Sequence, residues 1–326
     1  MRTGSLLFRC AGVVALAAVS TFAPAGANAQ QFPAQDIHFF CGFPPGSGAD
    51  VLVRYFAEKV RPLTGKNIVV ENKVGAGGNI AMEHVARTKP DGYNVFVQAG
   101  SGAAAFMSLR KEPSIDVAKQ IQIAGTINRQ PYMIAVHSSK PYKTLAELTA
   151  VLKEKGEKGS YGSANPSSTI TAEFYKQALG LMTVEVPYRT GQDMVNDVAS
   201  GQLEFVSADP VQALSMHRKG DWRILAISSG ERLKATGDLP TLKEQGVPLD
   251  LTGWWAAMVP TGTPKPVLDQ YHKWFAQVVG AEETQKFLAQ FGGDPLIETP
   301  EVAQVRLLKD IKDWGDYVRL AKIPQT

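Results

Sequence analysis

The sequence predicts an α/β fold of two domains, each a mostly parallel sheet flanked by helices. From Ile37 onward, short β-branched or aromatic runs alternate with amphipathic segments of helical length, which is typical of parallel strands joined by helices. Several of the predicted strands end in small-residue turns that lead directly into a helix. The chain has 326 residues and 44% hydrophobic content, which is enough for two domains of ordinary size.

Residues 1–29 are predicted to be a signal peptide that belongs to neither domain. Arg2 and Arg9 give a basic start, Cys10–Phe22 is a short apolar run, and Ala27-Asn28-Ala29 has the small-residue pattern of a cleavage site. The apolar run is too short to span a bilayer. We therefore expect export to the periplasm and a mature chain that begins at Gln30.

Composition and motifs argue against several classes of function. Removing Arg2 and Arg9 lowers the 34 basic residues to 32, against 31 acidic ones, and such a balance is not typical of nucleic-acid binding. Only Cys41 remains, so no internal disulfide forms, and a single thiol in an apolar strand indicates an inert buried residue. The sequence contains no H-E-x-x-H, paired C-x-x-C or G-x-S-x-G motif. We therefore expect no enzyme activity, no cofactor and no metal.

Ten strands are predicted in chain order. They cover residues 37–41, 67–72, 94–98, 121–127, 132–137, 159–162, 183–187, 203–207, 223–228 and 254–259. The chain is expected to leave the first domain between Asn128 and Pro131 and to return after Pro248, so that residues 30–129 and 252–326 form domain 1 and residues 130–251 form domain 2. Trp254 and Trp255 are predicted to pack in the core and at the crossover.

The turn after the first strand has the features of an anion-binding loop. Gly46 and Gly48 allow close backbone approach, and Ser47 and Asp50 have the spacing of a helix capping box. The amides of the following helix turn favour a carboxylate or phosphate. A capped helix without a ligand is the alternative. The Asp50 carboxylate favours this alternative, because it neutralises part of the positive potential at the helix N-terminus that would hold an anion.

Small or polar residues recur at other strand ends. In the first half they occupy residues 74–79 and 99–103, although Ile80 stands where a dinucleotide fingerprint needs glycine. In the second half, residues 163–169, 188–191 and 209–210 open helices with polar side chains. Asp209 followed by Pro210 is most simply an N-cap with proline at the first helical position. Arg189 is harder to explain by packing, because its guanidinium has five N–H donors and lies in a loop, where it adds nothing to the core.

Seven stretches of the mature chain together resemble one family. They are Phe43–Asp50 with Arg54, Val70–Asn79, Lys89–Tyr93, Val186–Arg189, Gly201–Leu203, Leu239–Leu242 and Pro260–Pro264. In this order they resemble the substrate-binding proteins of tripartite tricarboxylate transporters, the extracytoplasmic solute receptors also called Bug or TctC proteins. The resemblance extends over the whole mature chain.

The resemblance implies a periplasmic binding protein-like fold of type II. Two α/β domains are joined by crossing strands, and a cleft between them closes on a carboxylate that main-chain amides and ordered water help to hold. The implied ligand-binding residues are Phe43, Gly46, Ser47, Gly48, Gly77, Gly78, Ser101 and Gly102 in domain 1, and Ser163, Asn165, Ser168, Thr169, Tyr188, Arg189 and Asp209 in domain 2.

Two stretches depart from the family pattern. The family often has paired glycines where Gly46-Ser47-Gly48 stands, and a glycine-rich, often histidine-bearing segment where Asn165–Thr169 stands. The substituted hydroxyl and amide groups should alter ligand choice, so the sequence does not identify the acid. Arg189 is a candidate partner for a second anionic group on the ligand.

The resemblance also implies partners. We expect a monomer that binds a small mono- or dicarboxylate, aliphatic or aromatic, and delivers it to the membrane permease subunits of a tripartite tricarboxylate transporter. The alternative is a receptor that presents its ligand to a membrane sensor kinase, since the ligand site would look the same in both.

Overall fold

The computed structural model describes residues 32–188 and 190–325, which form two lobes. The predicted signal peptide lies outside these residues. The strands, in chain order, are β1 (Ile37–Cys41), β2 (Ile68–Asn72), β3 (Asn94–Ala99), β4 (Ile121–Pro131), β5 (Met133–His137), β6 (Ser160–Ser163), β7 (Val184–Pro187), β8 (Phe205–Ala208), β9 (Trp222–Ile227), β10 (Thr252–Pro260) and β11 (Asp294–Pro295). All ten predicted strands are present, and β11 was not predicted.

The helices alternate with these strands. They are α1 (Gly48–Thr64), α2 (Asn79–Ala86), α3 (Gly100–Leu109), α4 (Val117–Gln120), α5 (Leu145–Lys155), α6 (Pro166–Leu179), α7 (Val195–Ala199), α8 (Pro210–Arg218), α9 (Lys265–Gly280), α10 (Glu282–Gln290) and α11 (Pro300–Leu320). Within the described residues, no helix is both long enough and apolar enough to cross a membrane.

The first lobe is built on a six-stranded sheet with the order β11-β4-β10-β3-β1-β2. β1 is buried at every residue except His38, because the strand is covered on both faces. On one face α1 and α9 pack their apolar stripes, and the rings of Phe56 and Phe275 stack with centroids 5.7 Å apart. The predicted inert thiol, Cys41, is buried in this core.

The second lobe is built on a five-stranded sheet with the order β7-β6-β8-β5-β9. Helix α6 covers one face, where Tyr161 and Phe205 stack with centroids 5.1 Å apart. The chain passes between the lobes at Tyr132, between β4 and β5, and again at Leu251, just before β10. Helix α11 follows the first sheet and also reaches the second lobe, where the rings of Tyr317 and Phe174 meet edge to face at 5.4 Å.

The predicted class of a two-domain α/β fold is confirmed, but the sheets are mixed where mostly parallel sheets were predicted. β1 pairs in parallel with β2 and β3, and β6 pairs in parallel with β7 and β8. β4, β5 and β10 pair antiparallel with their neighbours. The reason is that these strands carry the chain out of one lobe and back, so they cannot follow the direction that crossover helices impose. The residue boundaries of the two domains remain a prediction.

Candidate functional site

Three glycine-containing turns of the first lobe meet at one edge of its sheet. β2 and β3 both run parallel to β1, so their carboxyl ends lie on the same side. The turns are in direct contact there, because a Cβ atom added to Gly42 would lie 2.3 Å from Cα of Gly78. A Cβ atom on Gly78, which has φ +97°, would lie 2.6 Å from Nε2 of Gln98. Only glycine fits this approach.

The first turn ends in a capped helix, as predicted. Ser47 Oγ accepts a hydrogen bond from the Asp50 amide at 3.2 Å, and the Gly46 amide donates to Asp50 Oδ2 at 2.8 Å. The amides of Gly48 and Ala49 donate to no acceptor in the described part of the chain. These two N–H groups project from the N-terminus of α1, where the helix dipole favours an anion.

Asp50 does not carry a free charge beside these amides. Arg54 Nε donates to its Oδ2 at 2.9 Å, and Asn72 Nδ2 donates to its Oδ1 at 2.8 Å. Burial opposes ionisation of this carboxyl, but the bonds from Arg54, Asn72 and the Gly46 amide outweigh it and hold the pKa of Asp50 below its usual value. The expected conflict between Asp50 and an anionic ligand is therefore reduced by Arg54. Asn72 also fixes the turn by donating to the Phe43 carbonyl at 2.9 Å.

The other two turns present small residues at the same edge. Gly77 is exposed with φ +67°, and its carbonyl accepts from Gln98 Nε2 at 3.3 Å. Helix α3 begins at Gly100, so Ser101 and Gly102 lie in its first turn, with Ser101 only 3% exposed. Trp254 packs against this turn, because a Cβ atom on Gly100 would lie 2.4 Å from its ring. The predicted core role of Trp254 is confirmed.

In the second lobe, the turn after β6 caps α6. Asn165 Oδ1 accepts from the Ser168 amide at 2.9 Å, and Ser168 Oγ is buried without a partner among the described residues. Ser163 Oγ and Thr169 Oγ1 both donate to Glu185 Oε1, at 2.6 and 2.9 Å. The protons of these two predicted ligand hydroxyls are thus directed to a carboxylate of their own lobe.

The remaining predicted residues of the second lobe have different environments. The Tyr188 hydroxyl donates to Asp197 Oδ2 at 2.5 Å, and burial together with this bond raises the pKa of Tyr188 to about 12. Arg189 lies outside the described residues. Asp209 is the N-cap of α8, as predicted, and accepts from the Gln212 amide at 3.1 Å. Burial raises the pKa of Asp209, while hydrogen bonds from helix amides act in the opposite direction.

The two lobes approach each other where α1 and α8 begin. A Cβ atom on Gly48, the first residue of α1, would lie 3.9 Å from Cγ1 of Val211, the second residue of α8. The positive ends of two helix dipoles thus converge on one gap between the lobes. Such a gap favours a small anion held mainly by main-chain groups.

A comparison with known protein families gives one match that covers most of the chain. The model of the tripartite tricarboxylate transporter family receptor matches residues 52–318. The chain belongs to this family. The family consists of periplasmic solute-binding receptors and not of enzymes, which agrees with the expectation drawn from the missing catalytic motifs.

Relatives of known sequence and structure agree with this assignment. The receptor is 25% identical to protein BugT of Bordetella pertussis over 90% of this chain and 91% of that protein. It resembles the solved structure of the periplasmic binding protein BugD with a TM-score of 0.76 and 26% identity, over 90% of this chain and 100% of BugD. A protein of R. palustris solved with adipate has a TM-score of 0.79 and 25% identity, over 90% of this chain and 99% of that one.

Two residues at the gap were missed by sequence reasoning. Tyr132 lies where the chain crosses between the lobes, and burial raises the pKa of its phenol, while hydrogen bonds with Ser167 of the second lobe and Ser101 of the first lower it. Gln98 has its Oε1 buried without a partner in the described part of the receptor. A glutamine in a strand or a tyrosine between two strands carries no sequence signal that separates such a position from ordinary packing.

Besides the gap, the structure contains a cavity that is lined by Arg129, Leu251 and Thr252 near the crossing strands. Its volume is about 550 Å³, and α11 forms one wall with Arg306, Lys309 and Asp310. Arg306 pairs with Glu298 and Lys309 pairs with Asp313, so both cations have partners. Asp310 Oδ2 accepts from Trp254 Nε1 at 2.6 Å. Ser101, in the first turn of α3, is among the residues that line this cavity.

Proposed function

We propose that this receptor captures a small organic carboxylate in the gap between its lobes and delivers it to a membrane transporter of the tripartite tricarboxylate type. The observation that carries the proposal is the convergence of the α1 and α8 N-termini on one gap, with the Gly48 and Ala49 amides free to donate. The adipate bound by the R. palustris relative supports the same class of ligand.

The strength of such binding is sufficient without a lysine. Each hydrogen bond to a charged group contributes about 1.5–3 kcal/mol net. Micromolar affinity requires about 8 kcal/mol. Four or five aligned donors contribute about 6–15 kcal/mol in total. The upper half of this range exceeds about 8 kcal/mol and leaves a margin for the cost of ordering the two lobes. The amides of Gly46, Ser47 and Gly78 already donate within the first lobe. The donors we propose are therefore the main-chain amides of residues 48, 49, 77, 101 and 102, with side chains of the second lobe completing the site.

The predicted ligand-binding side chains of the second lobe have different roles in this proposal. Asn165 Oδ1 is used in capping α6, which leaves its Nδ2 to donate to a ligand. Ser163, Thr169 and Tyr188 direct their hydroxyl protons to carboxylates, so they offer oxygen lone pairs to a ligand. Asp209 would bring a like charge close to an acid, and its raised pKa reduces that repulsion.

A thermal-shift screen of mono- and dicarboxylates, aliphatic and aromatic and including adipate, tests the ligand class. A specific acid present at about 100 times its Kd stabilises the folded state by about 2.7 kcal/mol. We expect at least one acid to raise the melting temperature by several degrees, while the corresponding uncharged diamide does not. No shift across the whole panel would contradict the proposal.

Arg189 is proposed to contact a second anionic group of the ligand. If it does, Arg189→Ala weakens binding of a dicarboxylate by at least tenfold, since a charge-assisted bond is lost. Binding of the monocarboxylate of the same chain length should change little. Unchanged affinity for every dicarboxylate in the panel would rule out this role.

The location and partner of the receptor are proposals of the same kind. We propose that residues 1–29 direct export, so that the protein recovered from the periplasm begins at Gln30. We also propose that it acts as a monomer and that uptake of its acid depends on the permease subunits. Uptake that persists without the permease, together with acid-dependent activity of a sensor kinase, would favour the signalling alternative.

A further inference from the structure

One loop of the first lobe contacts two separate elements of the second lobe. We call residues 290–294, between the end of α10 and β11, the flank loop. At its end, Asp294 accepts hydrogen bonds from the amides of Lys234 and Ala235, at 3.0 and 2.8 Å. These amides open the 3-10 turn Lys234–Thr236 of the second lobe.

The carboxylate of Asp294 therefore caps a turn that belongs to the other lobe. The residue preceding that turn, Leu233, provides no side-chain cap of its own. Asp294 is only 7% exposed, so its bonds are shielded from water. Nearby, Arg129 of the first lobe pairs with Glu231 of the second at 2.5 Å. The turn amides thus depend on an acceptor that moves with the first lobe.

The same loop lies along one face of α8. Pro210, Leu214 and Arg218 are spaced by four residues and so share a face of that helix. A Cβ atom on Gly292, which has φ +71°, would lie 2.7 Å from Leu214 and 2.9 Å from Pro210. Arg218 Nη1 donates to the Gln290 carbonyl at 3.0 Å. The loop therefore fits against both ends of α8.

This contact lies next to the gap that we propose as the ligand site. Pro210 follows Asp209, and Val211 lies opposite Gly48. Resting on the proposed function, we propose that Asp294 is a positioning residue that fixes the flank loop against the second lobe and thereby sets the N-terminus of α8 opposite that of α1. The chain connects the lobes at only two points within the described residues, so they can rotate unless such contacts hold them.

Asp294→Asn tests the proposal, because it keeps the size of the side chain and removes its charge. Small-angle scattering of the ligand-free variant should give a larger radius of gyration than the wild type. Titration calorimetry with adipate and with malate should show affinity weakened by about tenfold, since the binding-competent arrangement is less populated. Arg218→Ala, which removes the bond to Gln290 at an exposed position, should shift both quantities in the same direction.

Glu147→Gln is a matched control. Glu147 accepts hydrogen bonds from the amides of Lys143 and Thr144, at 2.6 and 3.2 Å, entirely within the second lobe. It should lower the melting temperature as Asp294→Asn does, but it should leave the radius of gyration and the affinity unchanged. The control therefore separates loss of an amide acceptor in general from loss of this contact between lobes.

The result that overturns the proposal is an Asp294→Asn variant that melts earlier yet keeps the wild-type radius of gyration and affinity. If that variant does not fold, Arg218→Ala decides, and wild-type values for it would overturn the proposal as well. If the wild type binds neither acid, the scattering result still decides the role of Asp294. A failure of the ligand class and a failure of the flank loop are thereby distinguished.

Discussion

At the scale of single residues, the first helical position of α1 has the most specific role that we assign. Gly48 follows an N-cap, Ser47, whose backbone has φ −68° and ψ 159°. This is the conformation that a residue preceding proline adopts. Proline is well tolerated at the first position of a helix, where its missing N–H has no partner within the helix. The position thus allows one donor to be deleted without breaking the helix.

Gly48→Pro is expected to weaken binding of the captured acid by tenfold or more. The reason is the loss of one N–H bond to a charged group, which contributes about 1.5–3 kcal/mol. The melting temperature of the ligand-free protein should fall little, because no atom approaches the added Cβ closer than 3.9 Å. Titration calorimetry measures the affinity.

Glu282→Pro provides the matched control for this change. Glu282 is the exposed first residue of α10, and Ala281 before it has φ −70° and ψ 136°. This variant should bind the acid as the wild type does. If the wild type and Gly48→Pro bind the acid with equal affinity, the Gly48 amide does not contact the acid.

Asp310 is the residue from which we expect a dependence of stability on pH. Burial raises its pKa to about 6, although the Trp254 hydrogen bond and the charges of Arg306 and Lys309 act in the opposite direction. An aspartate in the unfolded chain titrates near pH 3.9. Between about pH 4 and pH 6 the folded state thus holds a proton that the unfolded state has lost, so this group lowers the free energy of unfolding as pH rises.

Asp310→Asn should therefore stabilise the protein above pH 6 and have little effect near pH 4. The variant keeps an oxygen for Trp254 Nε1 but does not ionise. The gain at pH 7.5 is at most about 3 kcal/mol, which corresponds to a shift of about two pKa units. Denaturant unfolding at both pH values measures it. A difference from the wild type that is the same at pH 4 and pH 7.5 would contradict this interpretation.

At the scale of elements, the turns after β1 and β2 are in close contact, and this contact fixes the position of the turn backbones at the carboxyl edge of the first sheet. Gly42→Ala would place a Cβ atom 2.3 Å from the backbone of Gly78. Because a backbone atom cannot rotate away, the turn at residues 75–78 must move. Overpacking of this kind destabilises by about 1–3 kcal/mol. We expect Gly42→Ala to lower the melting temperature and to weaken acid binding, measured by calorimetry, by at least tenfold.

Gly65→Ala is the comparison for that prediction. Gly65 ends α1 with φ +66° and has no atom within 4 Å of an added Cβ, so alanine there is strained without touching the turns. It should reduce the free energy of unfolding by about 1 kcal/mol and leave the affinity unchanged. If both variants lose affinity equally, the turn contact has no special role in binding.

The elements were largely predictable because their signals are local. The capping spacing of Ser47 and Asp50 and the Asp209-Pro210 pair predicted helix starts that the structure confirms. Strand direction was less predictable, because β4 and β10 are antiparallel owing to connections between lobes that no local pattern records. β11, with two residues, is too short to give an alternating pattern.

The candidate site was predictable only in part. The glycine turns could be recognised in the sequence, because a run of small residues follows each of three predicted strands of the first lobe. The orientation of Ser163 and Thr169 toward Glu185 could not be recognised in the sequence, because it depends on the pairing of β6 with β7. Tyr132 and Asp294 contact residues of both lobes. Their partners are far away in the sequence, so no local motif with a fixed spacing predicts these contacts.

At the scale of the whole molecule, the receptor consists of two lobes built on two sheets, and the relative position of the lobes determines the gap. The flank loop, Tyr132 and the Arg129–Glu231 pair all link the lobes close to the crossing strands. Binding that draws the lobes together therefore changes contacts far from the acid as well as those beside it. This arrangement makes affinity depend on the position of both lobes and not only on the donors in either one.

The most direct measurement is a crystal structure of the receptor with the acid that gives the largest thermal shift. We expect a carboxylate between the lobes, within hydrogen-bonding distance of the Gly48 and Ala49 amides, with the N-terminus of α8 facing it from the other side. An empty gap, with the acid bound instead in the cavity beside α11 or on the outer surface, would contradict the proposed site.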